Sequence, residues 1–178
     1  MNIRFFLISS LVFLSLPSCN RFQVRHRLKQ MMSDEIVMPA ELEMVQRDTV
    51  TVCGMDSRAK CILYIDSTEC TSCRIGKLNR YSDLYHSAKN NAVFDFIVLI
   101  SPRADERSSV IHRLQLSVDF PVYLDKEHRF LELNRHIPRD DRFHTFLTNQ
   151  DGKVIFVGDP TSGEKMKTLF HDAWKTLH

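Results

Sequence analysis

The sequence predicts an α/β domain, a central mixed sheet flanked by helices. Three observations predict it. Cys61 to Asp66 and Ala92 to Ile100 are continuous apolar runs, which suit strands buried on both faces. Between them Ile75, Leu78, Leu84, Tyr85 and Ala88 form one apolar stripe at helical spacing, so the three segments read as a βαβ unit with a right-handed crossover. Near the end, Asn149-Gln150-Asp151-Gly152-Lys153 separates two more apolar runs and reads as a hairpin turn.

The elements follow in order. Thr49 to Cys53 is rich in β-branched residues and reads as a strand, with a polar turn from Gly54 to Lys60. The buried strand Cys61 to Asp66 comes next, and then a tight loop. A helix follows that carries Cys70 and Cys73 at its start and roughly one apolar stripe as far as Ala88. The strand ending at Ile100 is closed by Ser101-Pro102. Asp105 to Leu116 reads as a helix with Val110, Ile111 and Leu114 inward. Phe120 to Leu124 is a short strand, and Asp125 to Asn134 is a short helix carrying Phe130, Leu131 and Leu133. His136 to Arg142 is a charged loop around Pro138. Phe143 to Thr148 and Val154 to Gly158 form the hairpin. The last helix opens on Thr161-Ser162-Gly163-Glu164, a capping-box pattern, and buries Met166, Leu169, Phe170, Ala173, Trp174 and Leu177. An αβ insert thus lies between a βαβ half and a terminal ββα half.

The chain of 178 residues suggests one domain with extensions. Residues 1–18 read as an export signal. Arg4 supplies its positive start, and the apolar run from Phe5 to Leu16 is too short to span a bilayer. Leu16-Pro17-Ser18-Cys19 resembles the lipobox of bacterial lipoproteins, which implies a lipidated Cys19 and a membrane-anchored protein facing the periplasm. The alternative is an ordinary signal peptide cut near Ser18. Residues 19–47 are then a tether and lead-in. Arg21, Arg25, Arg27 and Lys29 suit either anionic headgroups or plain solvent, and Val24, Leu28, Met31 and Met32 fall at helical spacing. Residues 48–178 form the domain. The net charge of +2 gives no global signal for nucleic acid.

There are five cysteines, at 19, 53, 61, 70 and 73. Cys53 and Cys61, on successive predicted strands, either bridge in an oxidising compartment or stay as separate buried thiols. Cys70-Thr71-Ser72-Cys73 sits where a strand feeds a helix. There, unpaired backbone N–H groups favour the thiolate, the form that attacks disulfides. This placement and the order of elements resemble the thioredoxin-like superfamily. The chain is most similar to its TlpA/ResA-type branch and to anchored lipoproteins of Bacteroidetes-type bacteria.

The resemblance covers residues 48–178 and implies a thiol–disulfide oxidoreductase. Cys70 is then the attacking cysteine and Cys73 the less exposed resolving one, with a thiol or disulfide protein as partner and no cofactor beyond the Cys70–Cys73 disulfide. Glu69, Thr71, Ser72, Arg74 and His144 are the active-site neighbours. Three features depart from the family pattern. Glu69 replaces the frequent aromatic before the first cysteine. Tyr64 stands where a buried acid is common, and Asp66 nearby reads as a solvated loop acid. His144 occupies the position of the cis-proline that faces the cysteines, either in a trans bond or in a costly cis one. Two alternatives are a copper or zinc site built from Cys70, Cys73 and His144, and a redox-inactive interaction domain. The remaining histidines show no ligand spacing and read as surface residues.

Overall fold

The computed structural model describes residues 18–56 and 58–177. Residues 1–17 of the export signal lie outside the described residues, as does the side chain of Cys19.

The chain forms α1 (Ser18–Met31), β1 (Leu42–Gln46), β2 (Thr49–Cys53), β3 (Lys60–Ile65), α2 (Thr71–Ile75), α3 (Ser82–Asn91) and β4 (Asp95–Ile100). It continues with α4 (Arg107–Ser117), β5 (Val122–Leu124), α5 (Arg129–Leu133), β6 (Thr145–Thr148), β7 (Val154–Val157) and α6 (Glu164–Lys175). The strands make one seven-stranded sheet in the order β2-β1-β5-β4-β3-β6-β7. The β3–β4 and β4–β5 pairs are parallel, whereas β3–β6, β6–β7, β1–β2 and β1–β5 are antiparallel. The βαβ unit, the αβ insert and the terminal hairpin all form as the sequence predicts.

The central strand β3 is buried along its whole length. Its side chains alternate between two cores, as the two-residue period of a strand requires. Cys61, Leu63 and Ile65 pack with Leu78, Phe96, Val98, Leu114 and Phe170 under α3, α4 and α6. Ile62 and Tyr64 pack with Met31, Phe130, Ile137, Phe143 and Phe146 under α1 and α5. Each fully buried Ile or Leu contributes about 1.5–3 kcal/mol, so β3 is the anchor of both layers.

Several expectations are corrected. The lead-in contributes β1, which pairs with both β2 and β5, so the sheet begins upstream of residue 48. β2 therefore lies at the sheet edge, with β1, β5 and β4 between it and β3. Cys53 and Cys61 are consequently remote from each other and unbridged. The helix after Cys70 is not continuous: α2 ends at Gly76, a 3-10 turn spans Leu78–Tyr81, and α3 starts afresh. At α6 the capping box does not form. Gly163 is the N-cap, and Thr161 turns its hydroxyl back to Asp159 at 2.7 Å. Leu169 is exposed, because the buried stripe of α6 centres on Phe170.

α1 forms where the spacing of its apolar residues places it. Met31 is fully buried and Val24 and Leu28 pack beside it, while Met32 is exposed. The helix is tied to the segment between α5 and β6 by Arg27, which donates to Asp140 at 3.2 Å. Asn134 fastens the same segment to the lead-in by accepting from the Val37 N–H and donating to the Val37 carbonyl. No helix among the described residues is long and apolar enough to cross a membrane.

Candidate functional site

Cys70 and Cys73 are joined by a disulfide, with Cα atoms 5.3 Å apart. Cys70 is the N-cap of α2. The helix turns Thr71 and Ile75, one turn apart, into the core, and this leaves both cysteines and Ser72 exposed. The Thr71 hydroxyl is buried without a hydrogen-bond partner. α2 has only five residues, so its dipole is small and the charge around the sulfurs comes from side chains.

The loop between β3 and α2 is built on Asp66. This carboxylate is buried rather than solvated, a correction to the sequence reading. It accepts from the Ser67 N–H at 2.8 Å and the Thr68 hydroxyl at 2.9 Å, which closes a tight turn. The Asp-Ser-Thr triplet carried that signal. Tyr64 donates its phenol to Ser101 at 3.0 Å, and Ser101 donates to Asp125 at 3.2 Å. Burial pushes the Tyr64 phenol pKa well up from its ordinary value, so it remains a neutral donor. Asp125 also accepts from the Arg129 and Phe130 N–H groups and so starts α5.

Glu69, the residue before Cys70, gathers three donors. The Asp66 N–H and His144 Nδ1 each lie 3.2 Å from Oε1, and Arg74 Nε lies 3.2 Å from Oε2. Burial acts to raise the Glu69 carboxyl pKa. The His144 hydrogen bond, the Asp66 N–H and the Arg74 charge outweigh it, and the group stays below the usual carboxylate range. His144 is buried, and its Nε2 faces the Pro138 carbonyl at 3.0 Å. Its own carbonyl accepts from the Tyr64 N–H at 2.8 Å. No peptide bond among the described residues is cis, so the bond before His144 is trans. Both ring nitrogens are thus engaged away from the sulfurs. Among the described residues no three His, Cys, Asp or Glu side chains come together in a metal-holding group.

The structure thus brings Glu69, Arg74 and His144 into contact with one another at the turn that leads into Cys70, and leaves Ser72 exposed. It adds Pro138, whose carbonyl no sequence pattern marked, and the Tyr64–Ser101–Asp125 chain. Two other histidines read as surface residues, His128 and His136, are half-buried. Burial lowers the His136 pKa.

No protein-family model matches the chain, and no curated protein matches it. Solved structures do. A Chlorobium tepidum protein provisionally identified as the thiol:disulfide interchange protein DsbE is 15% identical, with a TM-score of 0.50 over 79% of this chain and 98% of that one. An uncharacterized thioredoxin-like protein from Porphyromonas gingivalis is 11% identical, with a TM-score of 0.49 over 82% and 94%. Mycobacterium tuberculosis AhpC is 10% identical, with a TM-score of 0.49 over 83% and 98%. The first of these, taken with the strand order and the βαβ-to-hairpin succession, defines the fold as thioredoxin-like.

Proposed function

We propose that this chain is an extracytoplasmic, membrane-anchored thiol–disulfide oxidoreductase that exchanges disulfides with a protein partner through Cys70 and Cys73. The observation that carries the reading is the exposed Cys70–Cys73 disulfide at the junction of the buried strand β3 and α2. Both cysteine residues are exposed, which suits attack by or on a partner sulfur. The anchor rests on Leu16-Pro17-Ser18-Cys19 and on the cationic run that follows. The TlpA/ResA-type resemblance supports the same compartment, in which disulfides persist.

In the reducing direction the Cys70 thiolate attacks one sulfur of the partner disulfide. A Cys70–partner bond forms, and the other partner sulfur leaves and takes a proton. Cys73 then gives up its proton and attacks the Cys70 sulfur. The Cys70–Cys73 bond forms, and the partner's second sulfur leaves as a thiolate and is protonated. Two electrons pass from the cysteine pair to the partner, and the reverse sequence oxidises a partner dithiol. No further redox group is needed, since the cysteine pair itself carries the electrons.

The test is a redox titration against glutathione with C73S alongside. A single two-electron transition for the wild type, and a mixed disulfide on Cys70 that accumulates in C73S, support the reading. A pair that stays oxidised at every glutathione ratio sinks it. Loss of the chain from the membrane fraction in C19A checks the anchor.

A further inference from the structure

The arrangement around His144 poses a proton-counting problem. Nε2 faces a peptide carbonyl, which only accepts, so Nε2 carries a proton. Nδ1 faces a Glu69 oxygen that also accepts from the Asp66 N–H. A proton therefore sits between Nδ1 and Oε1. Whichever of the two atoms holds it, the pair carries no net charge. His144 is 1% exposed and the Glu69 side chain 14%, so bulk water does little to screen either partner. Arg74 adds one positive charge through Oε2. The Tyr64 ring, which meets the imidazole edge-on at 5.2 Å, is neutral. Asp140, one turn back, is neutralised by Arg142 and Arg27.

We propose that His144 is a positioning residue that neutralises Glu69 and thereby sets how readily Cys70 ionises and how oxidising the Cys70–Cys73 pair is. The inference rests on the oxidoreductase reading above. Glu69 is the immediate neighbour of Cys70, and a bare carboxylate there opposes the thiolate. With its charge cancelled by the shared proton, the carboxyl next to Cys70 no longer opposes the thiolate, and the positive charge of Arg74 favours it and stabilises the reduced form. The same contacts fix geometry, since Glu69 ties the loop at Asp66, the first turn of α2 at Arg74 and the entry to β6 at His144. A histidine at this position thus couples the β6 entry to the cysteines through charge.

The experiment uses the reduced and oxidised chain with H144Q, E69Q and the double variant. Thiolate absorbance gives the ionisation of Cys70, and glutathione equilibration gives the redox constant. H144Q leaves Glu69 bare, so Cys70 ionises at higher pH and the pair becomes more reducing by about tenfold in equilibrium constant, equivalent to about 30 mV. E69Q removes the carboxylate together with the shared proton, so Arg74 keeps its charge and both readings stay close to wild type. E69Q/H144Q removes a neutral pair and returns both readings close to wild type. The proposal is overturned if H144Q changes neither reading, or if the H144Q shift persists undiminished when Glu69 is already Gln. Nitrogen NMR of the wild type guards against misfolded variants. A ring with one bare nitrogen beside an ionised Glu69 also overturns the proposal. Thiolate absorbance needs no partner or turnover, so failure of the oxidoreductase reading is read separately, in the glutathione titration of the wild type.

Discussion

Tyr64 donates its backbone N–H to the carbonyl of His144 at 2.8 Å, and the two rings meet edge to face at 5.2 Å. This contact extends the β3–β6 ladder one step past its last pair, Leu63 with Thr145. The residue six before Cys70 therefore does not supply an acid. It supplies a backbone clamp on His144 and a phenol that orders Ser101 and Asp125.

Replacing Tyr64 tests that division of labour. Y64F removes one buried donor and is expected to cost about 0.5–1.5 kcal/mol. Y64D removes a ring that packs 4.9 Å from Phe130 and leaves a cavity lined by apolar groups, so a loss of about 3–5 kcal/mol is expected. Urea unfolding of both variants gives the numbers. A Y64D protein as stable as wild type would show that the site accepts the acid common in related folds and that the clamp is incidental.

The elements that the sequence made legible are those whose signal is local. β3, β4 and α6 carry continuous or periodic apolar residues, and Cys70 and Cys73 carry their own spacing. β1 was invisible because Leu42-Glu43-Met44-Val45-Gln46 is short and follows Pro39. What makes it a strand is pairing with Tyr123 and its neighbours, far along the chain. The break between α2 and α3 was hidden because Ile75 and Leu78 keep the helical stripe across it. The Glu69–His144 contact joins residues 75 positions apart. Each partner could be named from the sequence, but no spacing rule joins them.

The sheet order makes a prediction about the other thiols. Three strands separate β2 from β3, so peptide mapping of the oxidised protein should find Cys70 linked to Cys73 and no Cys53–Cys61 peptide. Burial pushes the Cys61 thiol well up from its ordinary pKa and raises that of Cys53 as well. Cys61 should therefore resist alkylation until the chain is unfolded, whereas half-buried Cys53 reacts slowly in the native state. Rapid native labelling of Cys61 would contradict its place in the central strand.

Acid should loosen the segment that carries Pro138. The Arg142 hydrogen bond outweighs burial and, with the Arg142 and Arg27 charges, lowers the Asp140 carboxyl to about 2. A carboxyl depressed in the folded state stabilises the fold above its unfolded value of about 3.9. That contribution fades as pH falls and is gone once pH passes below about 2. D140N should therefore melt lower than wild type near neutral pH, by about 0.5–1 kcal/mol for a largely exposed ion pair. The two curves should converge as pH drops through this window. Glu69, also depressed, acts in the same direction. Melting curves that stay parallel down to the acid limit would show that Asp140 does not tie α1 to this segment.

The join between β7 and α6 depends on Gly158. Its φ of 140° lies in the region that side chains rarely adopt, and a Cβ there would run into the methyl of Met166. Its N–H donates to the Thr145 carbonyl at 2.8 Å, so the residue cannot shift without loosening the entry to β6 that His144 precedes. G158A is expected to cost about 1–3 kcal/mol from backbone strain, with the Met166 clash in addition. M166A in the same chain relieves the clash but not the strain, so the double variant should regain only part of the loss in a thermal melt. Full recovery by M166A would assign the whole cost to packing. A G158A protein that melts with wild type would mean that this backbone does not hold α6 against the hairpin.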